Sequence, residues 1–335
     1  LLRSLAFDSI LGNVKLIAEA WDAGGLYQVG SFPSWKRWAE WNGRYRDDMR
    51  RFLKGDGSMA GTAINRIIGS TDLYDPVHRG ESASVNFLTC HDGFTLYDLY
   101  SYNTKHNEKN GWNNTDGDNN GNSWNCGVEG ETDDPQIEGL RRRMVKNAFA
   151  TLLCSRGPAM FYGGDEFCNT QFGNNNAYCQ DNKTGWLNWK KQKKETWLAE
   201  FIKDLADFRR EHPIIASEHP MELNDYGRKG FPDLSYHGES AWISSIPADR
   251  QAAGILYCGE YEKKTDQTPD DYIYIGYNFH SGLSHLALPK LPQNKKWYLL
   301  MTTAAENSFL PEKEILEDQH LLAIEGQSIN IVIGI

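Results

Sequence analysis

Long apolar runs are missing from this sequence: nothing in its 335 residues approaches the roughly 18 consecutive apolar residues that a bilayer-spanning helix needs, so no membrane partner is expected. Paired cysteines are missing too. Cys90, Cys126, Cys154, Cys168, Cys179 and Cys258 contain no CxxC unit and no regular spacing, which argues against a zinc site and against a disulfide framework. Free thiols in a reducing, cytoplasmic compartment are the expectation. Positive charge is scarce, with 35 Lys and Arg against 45 Asp and Glu and a formal net charge of -10, a balance that repels phosphate backbones. The longest uninterrupted basic run, Arg141-Arg142-Arg143, falls in a helical stretch and reads as a solvated helix face, so no nucleic-acid partner is expected. The opening segment, Leu1 to Asp8, lacks the charged start, apolar core and small-residue cleavage site of a secretory signal. It reads as the interior of a longer polypeptide.

What is present is an ordinary globular composition, 40% hydrophobic and 24% charged, with length enough for one large domain or two ordinary ones. Two short apolar runs, Val14 to Ala18 and Val85 to Thr89, have the character of strands buried on both faces. Glu19 directly follows the first and His91-Asp92 follows the second. Polar residues at the carboxyl ends of buried parallel strands face the active-site rim of a (β/α)8 barrel. The surrounding pattern predicts helices over Leu1 to Leu11, Tyr45 to Leu53, Met59 to Ile68, Leu96 to Tyr102, Pro135 to Ser155 and Trp197 to Arg210. Short strands are predicted over Trp38 to Trp41 and Ala159 to Tyr162. Asn103 to Asp134 is too polar for core and too long for a connector, which marks a functional loop. From about Pro213 the pattern becomes short alternating runs at 240–244, 272–278, 296–301 and 328–333, the spacing of an antiparallel β-sandwich. The expected division is 1–213 and 214–335.

Glycosidic cleavage requires a proton for a poor leaving-group oxygen and negative charge beside the sugar carbon where positive charge develops. Glu19 and Asp92 are the candidates for these two tasks; for either one alone, a rim salt bridge is the plain alternative. Trp21, Tyr27, Trp35, Trp38 and Trp41 crowd one loop region, and flat side chains of this kind pack against the apolar faces of sugar rings. Core packing is the competing reading for any single one of them. Asp116-Gly117-Asp118-Asn119-Asn120-Gly121 imitates the first half of a calcium loop, but Gly127 stands where a bidentate Glu is needed, and the segment reads as a polar substrate-side loop. Asp165-Glu166, after the last of these strands, either faces substrate or shapes the rim by ion pairing, and ion pairing is the expected role.

Ala18 to Tyr27 (AEAWDAGGLY) and Val85 to Leu96 (VNFLTCHDGFTL) resemble two signature regions of the α-amylase superfamily, and within it the details resemble isoamylase and the glycogen debranching enzymes. Further matches are Trp38 to Asp48, Ser123 to Thr132, and Gly163 to Phe167 followed by Gly173 to Tyr178. The resemblance is close from residue 1 to about 212 and loose beyond. It implies the C-terminal half of a (β/α)8 TIM barrel, strands five to eight, followed by a β-sandwich. It implies that Glu19 is the general acid, that Asp92 holds sugar hydroxyls and stabilises the transition state, and that His91, Trp21, Asp22, Tyr27, Trp41 and Asn175 bind substrate. Ala20 stands where the family often has Pro. No metal and no cofactor are implied. The family's first four strands and its Asp nucleophile would precede Leu1, and Asp8 is no substitute because it lies in the helix before the acid-bearing strand. The resulting expectation is part of a retaining hydrolase for α-1,6 branch linkages in glycogen or branched dextrins, inactive alone, completed by its N-terminal half or by a second copy. A non-catalytic α-glucan-binding module is the alternative, and cleavage of α-1,4 bonds or glycosyl transfer is a third reading.

Overall fold

The computed structural model describes residues 1–75, 77–79, 81–247 and 249–335. Its first part is a parallel sheet, built from β1 (Leu16–Ala18), β2 (Trp38–Trp41) and β3 (Ser84–Val85) in that order. The register pairs Leu16 with Trp38, Ala18 with Glu40 and Trp41 with Val85. A parallel bridge between Asn86 and Ala159 extends the row to a fourth segment, so neighbours in space follow one another along the chain.

The helices that cross between these segments are set by their caps. A short α1 (Leu2–Ala6) stops early because the Asp8 carboxylate accepts from the backbone N–H groups of Ile10 and Leu11 at 2.8 and 3.1 Å and starts a separate 3-10 turn. The helix expected over Leu1 to Leu11 is therefore broken in two. Asn42 caps α2 (Gly43–Leu53) by accepting from Tyr45, and α3 (Ala60–Ile67) follows. Thr95 caps α4 (Leu96–Leu99), and Asp134 caps α5 (Pro135–Leu153), which opens on a proline whose missing N–H is one a helix start can spare. Three further helices are α6 (Trp189–Gln192), α7 (Thr196–Glu211) and α8 (Pro213–Ala216). None of the helices among the described residues is long and apolar enough to cross a membrane.

The strand expected over Val85 to Thr89 leaves the ladder after Asn86. Its later carbonyl at Leu88 is taken by Arg50 Nε at 2.8 Å, and the Thr89 hydroxyl donates to Asp165, so this segment is held by side chains instead of by a neighbouring strand.

The second part is antiparallel throughout. Strands β4 (Leu234–His237), β5 (Ala252–Tyr257), β6 (Tyr272–Asn278), β7 (Ser284–Ala287), β8 (Trp297–Thr302), β9 (Phe309–Ile315), β10 (Leu321–Ile324) and β11 (Ser328–Gly334) form a six-stranded sheet of order β4-β5-β6-β11-β8-β9 and a separate β7–β10 pair. The expected strand at 240–244 is a turn, in which only Ile243 bridges to Tyr236. All seven residues of β6 and of β11 are buried, because the sheet is covered on both faces. Ile273, Ile275, Tyr277, Ile329, Ile331 and Ile333 join the cluster that includes Phe52, Met144, Phe149 and Leu205 of the helices. Tyr272, Tyr274 and Val332 face the other way, onto Leu286, Leu322 and Ile324 of the two-stranded sheet. That sheet comes so close that a Cβ on Gly276 would lie 2.4 Å from Ile324.

Of the basic run, Arg142 is exposed as expected, whereas its two neighbours are not. Arg141 is wholly buried and donates to the carbonyls of Asn125 and Val128 at 3.2 and 2.6 Å, and Arg143 donates to Gly326 at 3.1 Å. The helix pattern gives the position of these residues but not the loop and the sheet edge that fold back over them. All six cysteines are free, and only Cys179 is exposed.

Candidate active site

Glu19, His91 and Asp92 converge at the carboxyl ends of β1 and β3, with one polar atom from each lying within 4.8 Å of the others, and all three are exposed. The parallel register sets β1 and β3 on either side of β2, and the segment after Asn86 carries Asp92 to Glu19. His91 Nε2 lies 3.6 Å from an Asp92 oxygen. The same set has the donor types and spacing to hold a divalent cation, as does a second cluster of His212, Asp270 and Asp271. In the second cluster the carboxylates are already engaged: Asp270 by His212 at 2.7 Å and by the Ile214 amide, and Asp271 by Lys264 at 2.7 Å.

An aromatic wall stands behind the acidic group. Trp41 meets the His91 ring at 5.7 Å, Trp21 meets Trp41 at 6.4 Å, and Trp21 stacks on Tyr27 at 6.1 Å with 22° between planes. Trp21 and Tyr27 face each other because the chain reverses between them. Asp22 Oδ1 accepts from Gly24 and Leu26 at 2.8 and 3.0 Å, and Gly25 sits at a φ of +94 where a side chain would be strained. Asp22 is thus a turn-forming residue at the site's edge. Tyr27 in turn lies against the start of α2, where its hydroxyl would be 2.7 Å from a Cβ on Gly43. Trp35 and Trp38 are not part of the wall; Trp38 pairs with Phe32 at 5.8 Å and donates to the Leu2 carbonyl.

Asn175, expected at the sugar, is 2% exposed and fully engaged. Its amide and carboxamide bond reciprocally to the Asn107 side chain at 2.9 and 2.8 Å, its Nδ2 donates to the Asp118 carbonyl at 2.7 Å, and its own carbonyl accepts from Gly93 at 3.0 Å. It braces the turn that carries Asp92 and does not reach solvent.

Asp165 likewise departs from the ion-pairing expectation. It is buried and accepts from the Thr89 hydroxyl and from the Leu96 amide at 2.8 Å, tying both ends of the 89–96 turn to one carboxyl group. Burial pushes its pKa up to about 7, against the pull of those hydrogen bonds. Asp98, missed in the sequence, does the same for the next loop. It accepts from the Thr170 hydroxyl at 2.5 Å and from the Gln171 amide at 2.8 Å, and burial raises it to about 6. Glu129 gathers Asn103, Thr104, Asn125 and His106 within 3.3 Å; although partial burial works the other way, these bonds hold its carboxyl down at about 2. The only sequence signal for this scaffold is the density of Asn, Asp and Gly in 103–134, which marks the loop without giving its bonds.

No family model matches the chain. Among curated proteins, chloroplastic isoamylase 3 of Oryza sativa subsp. japonica is 39% identical over 315 residues, covering 93% of this chain and 38% of that protein. The glycogen operon protein GlgX homolog of Mycobacterium tuberculosis is 50% identical over 209 residues, covering 62% of this chain and 29% of that protein. The chain thus spans well under half the length of these relatives. Among solved structures, the pullulanase from Bacillus acidopullulyticus superposes with a TM-score of 0.66 over 97% of this chain and 35% of its own, at 17% identity. A pullulanase complexed with maltotetraose from Anoxybacillus sp. LM18-11 gives 0.65 over 99% and 41%, at 19% identity. At those identities the likeness concerns the fold alone. The two signature strings around Glu19 and Asp92, the extent of identity to isoamylase and to the glycogen operon proteins, and the shared fold together mean that the chain belongs to the isoamylase-type family of the α-amylase superfamily.

Proposed function

We propose that this chain supplies the proton donor and the charge stabiliser of a retaining glycoside hydrolase that cleaves α-1,6 branch linkages in glycogen or related α-glucans. The observation that carries the reading is the convergence of Glu19, His91 and Asp92 at an open rim beside Trp21, Tyr27 and Trp41. Glu19 protonates the bridging oxygen and later activates water. Asp92, with His91, holds sugar hydroxyls and offsets charge at the anomeric carbon. The carboxylate that forms the glycosyl-enzyme is supplied from outside residues 1–335. No cofactor takes part in this scheme, and the compartment is cytoplasmic.

In this reading residues 1–213 are strands five to eight of a (β/α)8 barrel and 214–335 its C-terminal β-sandwich domain. Bare apolar side chains at both ends of the parallel row support it. Ile10, Val14 and Ile17 are exposed at the β1 end and Phe161 at the other, as expected where further strands would close a sheet on itself. The N-terminal half of the same enzyme covers them. Co-expression of the family's first four barrel strands with this chain should give a stable complex with debranching activity, whereas this chain alone should give almost none. Within that complex, Glu19→Gln should lower hydrolysis of a branched dextrin by about 10²- to 10⁴-fold with the complex intact. Full activity from the isolated 335-residue chain, or an unchanged rate in Glu19→Gln, would overturn the reading. If the fragment acted only as a glucan-binding module, oligosaccharide would bind without turnover in the complex as well.

A further inference from the structure

Two loops beyond the acidic group are locked together by side-chain amides. Asn110 Nδ2 donates to the Asn176 carbonyl at 2.9 Å, and Asn174 Nδ2 donates to Asn110 Oδ1 at 2.8 Å. Gln180 Nε2 reaches across to the Lys109 carbonyl and to Asn110 at 3.0 and 2.8 Å, and Asn110 and Asn176 share one Asp116 oxygen, each at 2.8 Å. This clasp continues directly into the candidate centre, because Asn175 between its members accepts from Gly93, the residue after Asp92.

The clasp presents aromatic side chains to solvent. Trp112, two residues past Asn110, is 60% exposed, and Tyr178, two residues past Asn176, is 78% exposed. Trp186 is also exposed and is fixed to the same assembly: its indole N–H donates to Asp181 at 3.0 Å, its backbone bonds Asn182, and Asn182 bonds Gln180. The turn under Trp112 is closed by Thr115, whose amide and hydroxyl both donate to the Trp112 carbonyl, at 3.0 and 2.6 Å. Scattered exposed rings are ordinary, but here the clasp fixes the backbone beneath Trp112 and Tyr178 and the Trp186 indole itself, so part of the ordering cost is met before any ligand arrives. Flat apolar faces flanked by carboxamides and carboxylates match a pyranose ring, which offers an apolar face and a rim of hydroxyls. Between the same loops lies a cleft of about 330 Å3, lined in part by Phe172, His106, Lys109 and Gln171.

We propose that the clasped loops bearing Trp112, Tyr178 and Trp186 form an outer glucan subsite, a stacking platform for a linear stretch of α-1,4-linked glucose beyond the Glu19–Asp92 centre. It rests on the α-glucan reading above and adds where, away from the reacting bond, a chain is gripped.

The test is titration of the 335-residue chain with maltoheptaose, followed by calorimetry or tryptophan fluorescence, with cellohexaose as the control sugar. Wild type is expected to bind maltoheptaose, Trp112→Ala with Tyr178→Ala to weaken it by about tenfold or more, and Trp112→Phe with Tyr178→Phe to stay within about twofold of wild type. Both side chains are exposed, so the thermal midpoint should hold in each variant; should the alanine pair lower it, the phenylalanine pair together with Trp186→Ala, expected to weaken binding severalfold, decides. Equal maltoheptaose affinity in wild type and the alanine pair overturns this inference and leaves the proposed hydrolase untouched. Absence of any maltoheptaose binding by wild type, or equal binding of cellohexaose, overturns this subsite together with the α-glucan reading. Rings that act only in self-association would show as a change in oligomeric state on alanine substitution with no change in sugar affinity, which also overturns it.

Discussion

The parallel part and the antiparallel part of this chain hold their shape by opposite means. In the antiparallel sheet, β6 and β11 pair over seven residues and bury every one of them, so position is set by continuous ladder bonding and apolar packing on two faces. In the parallel part the strands run for only two to four residues, and the groups that matter lie beyond their ends. There, position is set by side-chain hydrogen bonds: Asp165 on the 89–96 turn, Asp98 on the 170–173 turn, and Asn175 on Gly93. A site that must face water cannot be fixed by burial, because its own atoms need to be reached. Buried polar residues one layer beneath it do that work, each exacting because an unmade bond there is costly.

If that contrast is right, damage to each part should have a different signature. Trp297 is 1% exposed in the outer core, stands 6.1 Å from Tyr274, and donates its indole N–H to Pro289 at 2.9 Å. Trp297→Ala should cost about 3–5 kcal/mol of stability, seen as a lower denaturation midpoint. It should leave the exchange of amides 91–96 unchanged at temperatures where the chain is folded. Asn175→Ala should cost less, about 1–3 kcal/mol, because the Asp118 carbonyl loses its donor and Asn107 Nδ2 keeps only its bond to the Asp116 carbonyl. Its effect should be local, with faster hydrogen exchange over 91–96 and 107–118 and little change in the antiparallel sheet. Faster exchange throughout the chain in Asn175→Ala would break the contrast.

The same contrast explains what could be read in the sequence. Glu19 and His91-Asp92 were legible because each stands immediately after an apolar run, and the run itself specifies the strand that points them. β6 and β11 were legible as unbroken apolar alternation. β9 was not, since Pro311, Glu312, Lys313 and Glu314 lie exposed on an edge strand where no apolar pattern is required. β5 was hidden by its Ala-Ala-Gly start, whose small residues are demanded by neighbours such as the Tyr274 hydroxyl close over Gly254. Asn175 and Asp165 were assigned to the wrong surroundings for a common reason: a polar residue in a loop carries no mark of whether it faces solvent or another loop. Arg141 was misplaced in the same way, by a segment folding over it that periodicity does not encode.

The smallest expected effect separates the two parts by pH. Asp165, in the parallel part, is raised by burial to about 7, while an unfolded carboxyl titrates near 4. The native state therefore holds that proton more tightly, and the stability it contributes is complete below about pH 4 and is lost as pH rises through about 7. His237, in the antiparallel part, is lowered by burial to about 3, against about 6.5 when unfolded. Its neutral ring accepts from the Trp242 amide at 3.2 Å and meets the Ser235 hydroxyl at 2.9 Å, an arrangement a second ring proton would disrupt. Its contribution is complete above about pH 6.5 and is lost as pH falls toward about 3. Calorimetric midpoints taken from acid to mildly alkaline pH should then diverge in opposite senses. Asp165→Asn should remove a fall in midpoint of about 2–4 °C as pH rises from about 4 to 7, and His237→Gln should remove a fall of similar size as pH drops from about 6.5 to 3. Midpoint curves that run parallel to wild type in both variants would mean that neither group titrates with the fold; because each substitution also removes a buried partner, the slope with pH and not the absolute midpoint carries the conclusion.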